Sequence, residues 1–488
     1  MVEKKNNINR SLGLIPILAM VFLLVVGYGQ LKLPVEFIMM ASAAVACTVA
    51  WFQGYKWKEI MGAITKKIAE TLPANFILIL VGAMIGAWMA GGTIPMIVYY
   101  GLKIISPDYL LVTAFVVTSL VSICTGTSWG SVGTIGVALM GIAAGMGAPL
   151  PAVAGAVISG AYFGDKMSPL SDSTNMASIV TGTDIYDHIR HMLWTTIPSA
   201  LLALVVFLFA GFQLDIASSG SEKVDAMLAS IEQLFNMNLF LLIPPLLVLG
   251  GAIKKFPPIP CMAIAAFLGI FNAIVFQGFD IKTSVDAMMT GFNTAMFGLT
   301  EAVNADVAKL VNRGGMVKMM RLTLFAFCAF SFASVTGLCG GMDLMMEKMA
   351  KRIKSVGGLI CSTMATAISV QLVTAEGKLP LIVTAELMGG MYKKFDLCSK
   401  NLSRTLEDAG TVIGPLIPWS QGAIFMSGTL GVAVLDYLPW AIQNYAALFF
   451  AALWGFTGIG IAYISKEAKK NQAAGKDAGV DAEVAEAK

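Results

Sequence analysis

Twelve consecutive residues gather an unusual density of oxygen groups. Gly164-Asp165-Lys166-Met167-Ser168-Pro169-Leu170-Ser171-Asp172-Ser173-Thr174-Asn175 holds two carboxylates, one side-chain amide and four hydroxyls. Such groups can replace the water shell of a small hard cation, and a carboxylate can also take a proton. Pro169 sets the geometry. In a helix its ring would strike the carbonyl of Asp165, and it donates no N–H, so the backbone is expected to break there. Two readings stay open: a solvated loop, or a broken helix whose freed carbonyls join the side-chain oxygens.

A second cluster, Thr125-Gly126-Thr127-Ser128-Trp129-Gly130-Ser131, follows a stretch already carrying Thr118, Ser119 and Ser122. Glycine costs a helix about 1 kcal/mol relative to alanine, so unwinding is expected, with Thr127 and Ser128 as oxygen ligands. The competing reading is close helix packing through Gly126 and Gly130. A third cluster runs from Leu402 to Trp419 and contains Glu407, Asp408 and Thr411. There Pro415 would free the carbonyl of Thr411, and Pro418 that of Gly414. Glu376 is a second possible proton carrier, against an interfacial acid paired with Lys378. Asp184, Asp187, His188 and His191 read as a solvated helix start rather than a metal site. The seven cysteines lack CxxC spacing and read as buried apolar residues.

The elements that must position these groups are membrane helices. The 488-residue chain is 57% apolar and 13% charged, against about 45–50% and about 25% in an ordinary globular domain. A net charge of +3 gives no basic stripe for a nucleic acid. Apolar runs of spanning length recur, whereas a β-barrel would show short alternating strands. The expectation is an all-α polytopic membrane protein of roughly 10–13 membrane segments. Residues 1–11 form a cytoplasmic tail, 12–212 a first transmembrane repeat, 213–235 an external linker, 236–464 a second repeat and 465–488 a disordered cytoplasmic tail. Lys4, Lys5 and Arg10 before the first span, and Lys56, Lys58, Lys66 and Lys67 after the second, place both segments inside. Lys254, Lys255, Lys348, Lys351, Arg352, Lys354, Lys393 and Lys394 mark later internal loops. The halves then enter from opposite sides, the plan of two inverted-topology repeats with broken helices. Laying Leu170–Asn175 over Leu406–Thr411 gives a faint echo of that plan.

The run Gly164–Ala177 resembles the fingerprint of the NhaC-type Na+/H+ antiporters, within the ion-transporter superfamily. Gly-Asp-Lys-x-Ser-Pro-Leu-Ser-Asp-x-Thr-Asn is intact. Leu402–Trp419 resembles the second fingerprint of that family, with Ala409, Gly414 and Ser420 departing from it. The resemblance implies re-entrant hairpins, a homodimer in the bacterial cytoplasmic membrane, and Asp165, Ser168, Asp172, Thr174 and Asn175 as ion ligands, with Asp408 and Thr411 from the second half. Ser171, Ser128, Thr127 and Glu376 complete the set. No cofactor is expected beyond the transported Na+ and H+.

A charge at the bilayer centre costs about 2.5–3.5 kcal/mol on insertion scales, so acids kept there are expected to work. One carboxylate, Asp172 by preference, would hold either H+ or Na+, and competition between them makes an exchanger. Asp165 ranks below it because Lys166 is expected to neutralise it. The alternative function is Na+- or H+-coupled movement of an organic anion, such as malate and lactate or an amino acid. An intramembrane aspartyl protease is excluded because Tyr162 stands where its GxGD motif needs the first glycine.

Overall fold

A computed structural model describes residues 11–23, 26–27, 30–31, 33–213, 221–254, 256–298, 307–308, 311–341 and 353–465. Lys4, Lys5, Arg10, Lys255, Lys348, Lys351, Arg352, part of the expected linker (214–220) and the C-terminal tail from 466 onward lie outside the described residues. Among those described there is no strand, only a lone bridge between Leu397 and Tyr463. The helices are α1 Ile15–Leu23, α2 Val35–Phe52, α3 Trp57–Ala90, α4 Thr93–Ile104, α5 Leu110–Thr125, α6 Ser128–Ser131, α7 Val137–Gly145, α8 Leu150–Met167, α9 Asp172–Thr181, α10 Ile185–Gln213 and α11 Ser221–Leu234. They continue as α12 Ile243–Ile253, α13 Pro258–Val275, α14 Ile281–Thr290, α15 Met316–Leu338, α16 Val356–Thr374, α17 Leu379–Lys394, α18 Ser399–Leu406, α19 Gln421–Leu430, α20 Val434–Tyr437 and α21 Ile442–Thr457.

Seven described helices are long and apolar enough to cross a bilayer, or nine if each of two bent pairs is one span. Two shorter apolar helices, Leu12–Leu23 and Glu36–Phe52, add to these. The protein is therefore a multi-pass helical membrane protein. At 34 residues, α3 is about 51 Å long, well beyond a hydrocarbon layer of about 30 Å. Its length requires it to tilt or to extend past the apolar slab.

Helices α5 and α8 pack closely because glycine sits at their crossing. A Cβ on Gly164 would come within 2.4 Å of the Ser119 carbonyl oxygen. That approach fixes the C-terminal end of α8, where the first polar cluster begins.

The helices of residues 107–181 recur over residues 356–430 at one constant spacing along the chain. Pro107–Thr125 corresponds to Val356–Thr374, Leu150 to Ser399 at the starts of α8 and α18, and α9 to α19. Ser171 and Ser420 cap α9 and α19 through the same side-chain acceptor. Gly126 and Ala375 end α5 and α16 in the left-handed region, at φ 67° and 56°. The echo of Leu170–Asn175 in Leu406–Thr411 is thus out of register. It aligned polar letters, whereas the elements set Leu170 against Trp419 and Asn175 against Ile424. In this register Pro169 meets Pro418 and Asp165 meets Gly414.

Candidate functional site

Each half contributes a helix interrupted where proline dictated. Helix α8 stops at Met167 and α9 starts at Asp172. The carbonyl of Asp165 released by Pro169 is not left for an ion. It accepts the Ser168 N–H at 3.2 Å and the Thr174 hydroxyl at 3.3 Å. In the second half, the Gly414 carbonyl released by Pro418 accepts the Ile417 N–H and the Ser420 hydroxyl. The hairpin turns pack on these breaks in matched fashion. Ser168 donates to the Ile123 carbonyl (2.8 Å), and Trp419 Nε1 donates to the carbonyl of Leu372 (2.8 Å), the counterpart of Ile123 in the repeat. Trp129 stacks on Phe425 with centroids 4.4 Å apart, tying the halves together.

Between the breaks lies a buried charged cluster. Asp165 Oδ2 accepts the Ser128 hydroxyl at 2.8 Å, with the Ser171 hydroxyl beside it. Helix α18 continues into a π-turn, Glu407–Thr411, in which the extra residue per turn re-aims side chains. Glu407 and Asp408 are both fully buried. Among the described residues, none hydrogen-bonds to either carboxylate oxygen of Glu407, to Asp408 Oδ2 or to Thr411 Oγ1. Glu407 has Ser173 and Thr411 beside it and lies within electrostatic reach of Asp165 and Lys166. These oxygens, all hard donors, suit Na+.

Lys166 forms an ion pair with Asp408 rather than with Asp165, joining residues 242 apart in sequence. The expectation that Lys166 neutralises Asp165 is corrected by this. The two residues are adjacent on one helix, so their side chains diverge and the lysine reaches across to the other half. Thr195 also donates to Asp408 Oδ1, at 3.1 Å. The histidines read as a solvated helix start are enclosed. His188 shares a hydrogen bond with Ser403 at 2.8 Å, and His191 with Asn401 at 3.1 Å. The signal was present in the sequence: His188, His191, Thr195 and Ser199 recur at helical spacing, which puts them on one face of the helix.

Not every expected ligand joins the cluster. Thr174 spans the Asp165 and Lys166 carbonyls, and Asn175 Nδ2 staples those of Pro169 and Ser171. Thr127 caps α6 by accepting the Gly130 N–H. Glu376 accepts the Leu379 N–H at the start of α17, and Lys378, its expected partner, pairs with Asp172 instead. Asp172 itself is 87% exposed. Of the two acids of the motif, Asp165 is enclosed and Asp172 is exposed. As first residue of α9, Asp172 points its side chain away from the packed face. Asp172→Asn is expected to keep Na+-dependent proton flux in proteoliposomes within about fivefold of wild type, because exposed ion pairs are worth little. Complete loss of flux would return Asp172 to the site.

A family model described as the Na+/H+ antiporter family matches residues 160–459. A protein of Haemophilus influenzae described as an uncharacterized Na+/H+ antiporter is 46% identical over 452 residues, covering 92% of this chain and 96% of its own. The Na+/H+ antiporter NhaC of Alkalihalophilus pseudofirmus is 36% identical, covering 94% and 98%. The malate-2H+/Na+-lactate antiporter of Bacillus subtilis is 35% identical, covering 91% and 94%.

Proposed function

The chain belongs to the Na+/H+ antiporter family, and from that premise we propose that it exchanges Na+ for H+ at the buried cluster between its two broken helices. The observation that carries this reading is a charge count. Asp165, Glu407 and Asp408 supply three buried carboxylates, and Lys166 and Arg404 two buried cations. Counting His188 and His191, each hydrogen-bonded to an uncharged side chain, as neutral imidazoles leaves one negative charge in excess. An unbalanced charge in a low-dielectric interior is costly, so one monovalent cation completes the set. A proton or a sodium ion does so equally, and neither needs the other present. Glu407 is the carboxylate that alternates between them, because it has no fixed partner, while Asp408 is anchored by Lys166 and Thr195. Asp408 Oδ2, Thr411 Oγ1 and Asp165 supply further oxygens to sodium.

Exchange follows if the loaded protein reorients and the unloaded one does not. The two interrupted helices, related by the structural repeat, are the elements that move, as halves of inverted topology. In this reading the protein works as a homodimer in the bacterial cytoplasmic membrane with both termini inside. The loop lysines support that orientation.

The test is flux in proteoliposomes with an imposed pH difference and no organic solute. Added Na+ is expected to collapse the difference with saturating kinetics. Flux that appears only after malate, lactate or an amino acid is supplied would overturn simple exchange in favour of a coupled organic substrate.

A further inference from the structure

The Lys166–Asp408 pair joins the two halves of the molecule, so it opens whenever the halves move apart at this point. Asp408 would then be a buried anion without its partner, a strongly unfavourable state. The structure contains a substitute. Arg404 lies one turn before Asp408 on the same helix and is fully buried. Its Nη1 donates to the Gly460 carbonyl at 2.8 Å, which holds the guanidinium in place. Nε and Nη2, which form the edge that grips a carboxylate with two parallel bonds, have no acceptor among the described residues. Among the described residues, the acid in electrostatic reach of Arg404 is Asp408, whose Oδ2 likewise lacks a donor. The other ionisable neighbours are engaged elsewhere, His191 with Asn401 and Tyr392 with Thr363.

We propose that Arg404 is a positioning residue that takes over the Asp408 carboxylate when Lys166 releases it, so that the acid stays paired while the halves reorient. Arg404 and Asp408 share a helix and travel together, which Lys166 and Asp408 do not. The hand-over uses two idle donors of Arg404 and the Asp408 carboxylate, whose oxygens each have more than one acceptor site, so it neither displaces sodium from Oδ2 nor breaks another hydrogen bond. It rests on the exchange reading above for its role in transport, but not for its chemistry.

Two measurements separate those layers. The first is a thermal double-mutant cycle on purified protein in detergent. Arg404→Gln is expected to cost at least about twice as much melting temperature in a Lys166→Gln background as in wild type, because residues sharing one partner are not additive. Additive losses overturn the hand-over. The second is flux: Arg404→Gln is expected to lower the maximal rate about tenfold or more while leaving the Na+ KM within about twofold, with Arg404→Lys recovering most of the rate. A wild-type rate in folded Arg404→Gln, or a loss confined to KM, overturns the proposal. Absence of any exchange in the wild type would refute the function reading alone, and the thermal cycle would still decide the hand-over.

Discussion

Glu407→Gln is expected to abolish Na+-induced proton release while leaving the protein folded. The two halves of that expectation come from one observation: among the described residues, none hydrogen-bonds to either carboxylate oxygen of Glu407. The amide is nearly the same size and removes no existing bond, so little stability is lost, and the melting temperature should stay close to that of wild type. Function is another matter. A neutral amide neither binds a proton at working pH nor offers sodium a full negative charge. Loss of one member of a buried charge pair typically costs about 2–5 kcal/mol, and 1.4 kcal/mol is about tenfold, so apparent Na+ affinity should fall at least about 25-fold. Proton release from purified protein on addition of NaCl, followed with a pH dye, reads this directly. Release of wild-type size from Glu407→Gln would show that another group carries the proton.

Asp408→Asn should fail differently. Its carboxylate is bonded to Lys166 and Thr195, so the substitution strands a buried lysine as well as removing an oxygen ligand. Breaking a buried ion pair by removing one partner costs about 3–5 kcal/mol. The expected result is a protein that is both inactive and markedly less stable in thermal unfolding. Adding Lys166→Met should restore much of the stability without restoring exchange, since a well-packed apolar side chain replaces a buried charge at little or no cost. If Asp408→Asn melts as wild type does, the ion pair does not support the fold.

The contrast between Glu407 and Asp408 marks where sequence reasoning stops. The breaks were legible because proline acts on its own backbone: Pro169 and Pro418 each sit inside an interruption. The unwinding after Thr125 was legible for a similar reason, with Gly126 in the left-handed region that ends α5. Side-chain destinations were not. Asp165 and Asp172 sit in one motif with equal chemical credentials, and only helix packing decides that the first is enclosed and the second exposed. Lys166 chose a partner in the other half of the chain over its immediate neighbour, which no local pattern encodes. Glu407 was overlooked beside Asp408 because a π-turn, which brings both into the cluster, has no strong compositional signal. The repeat escaped registration because few side chains persist between the halves, while element lengths do.

That repeat is a match of shape without a match of content. Glu407 and Asp408 correspond to Ile158 and Ser159, and Asp165 and Asp172 to Gly414 and Gln421. Mirror-image hinges with identical chemistry would leave a carrier indifferent to which compartment it faces. Here each of these four acids has an uncharged twin, so facing inward and facing outward differ in energy even when salt and acidity are equal on both sides. Such a carrier reaches half-saturation at different ion levels on its two sides, while the point at which net exchange stops is still set by the two ion gradients alone.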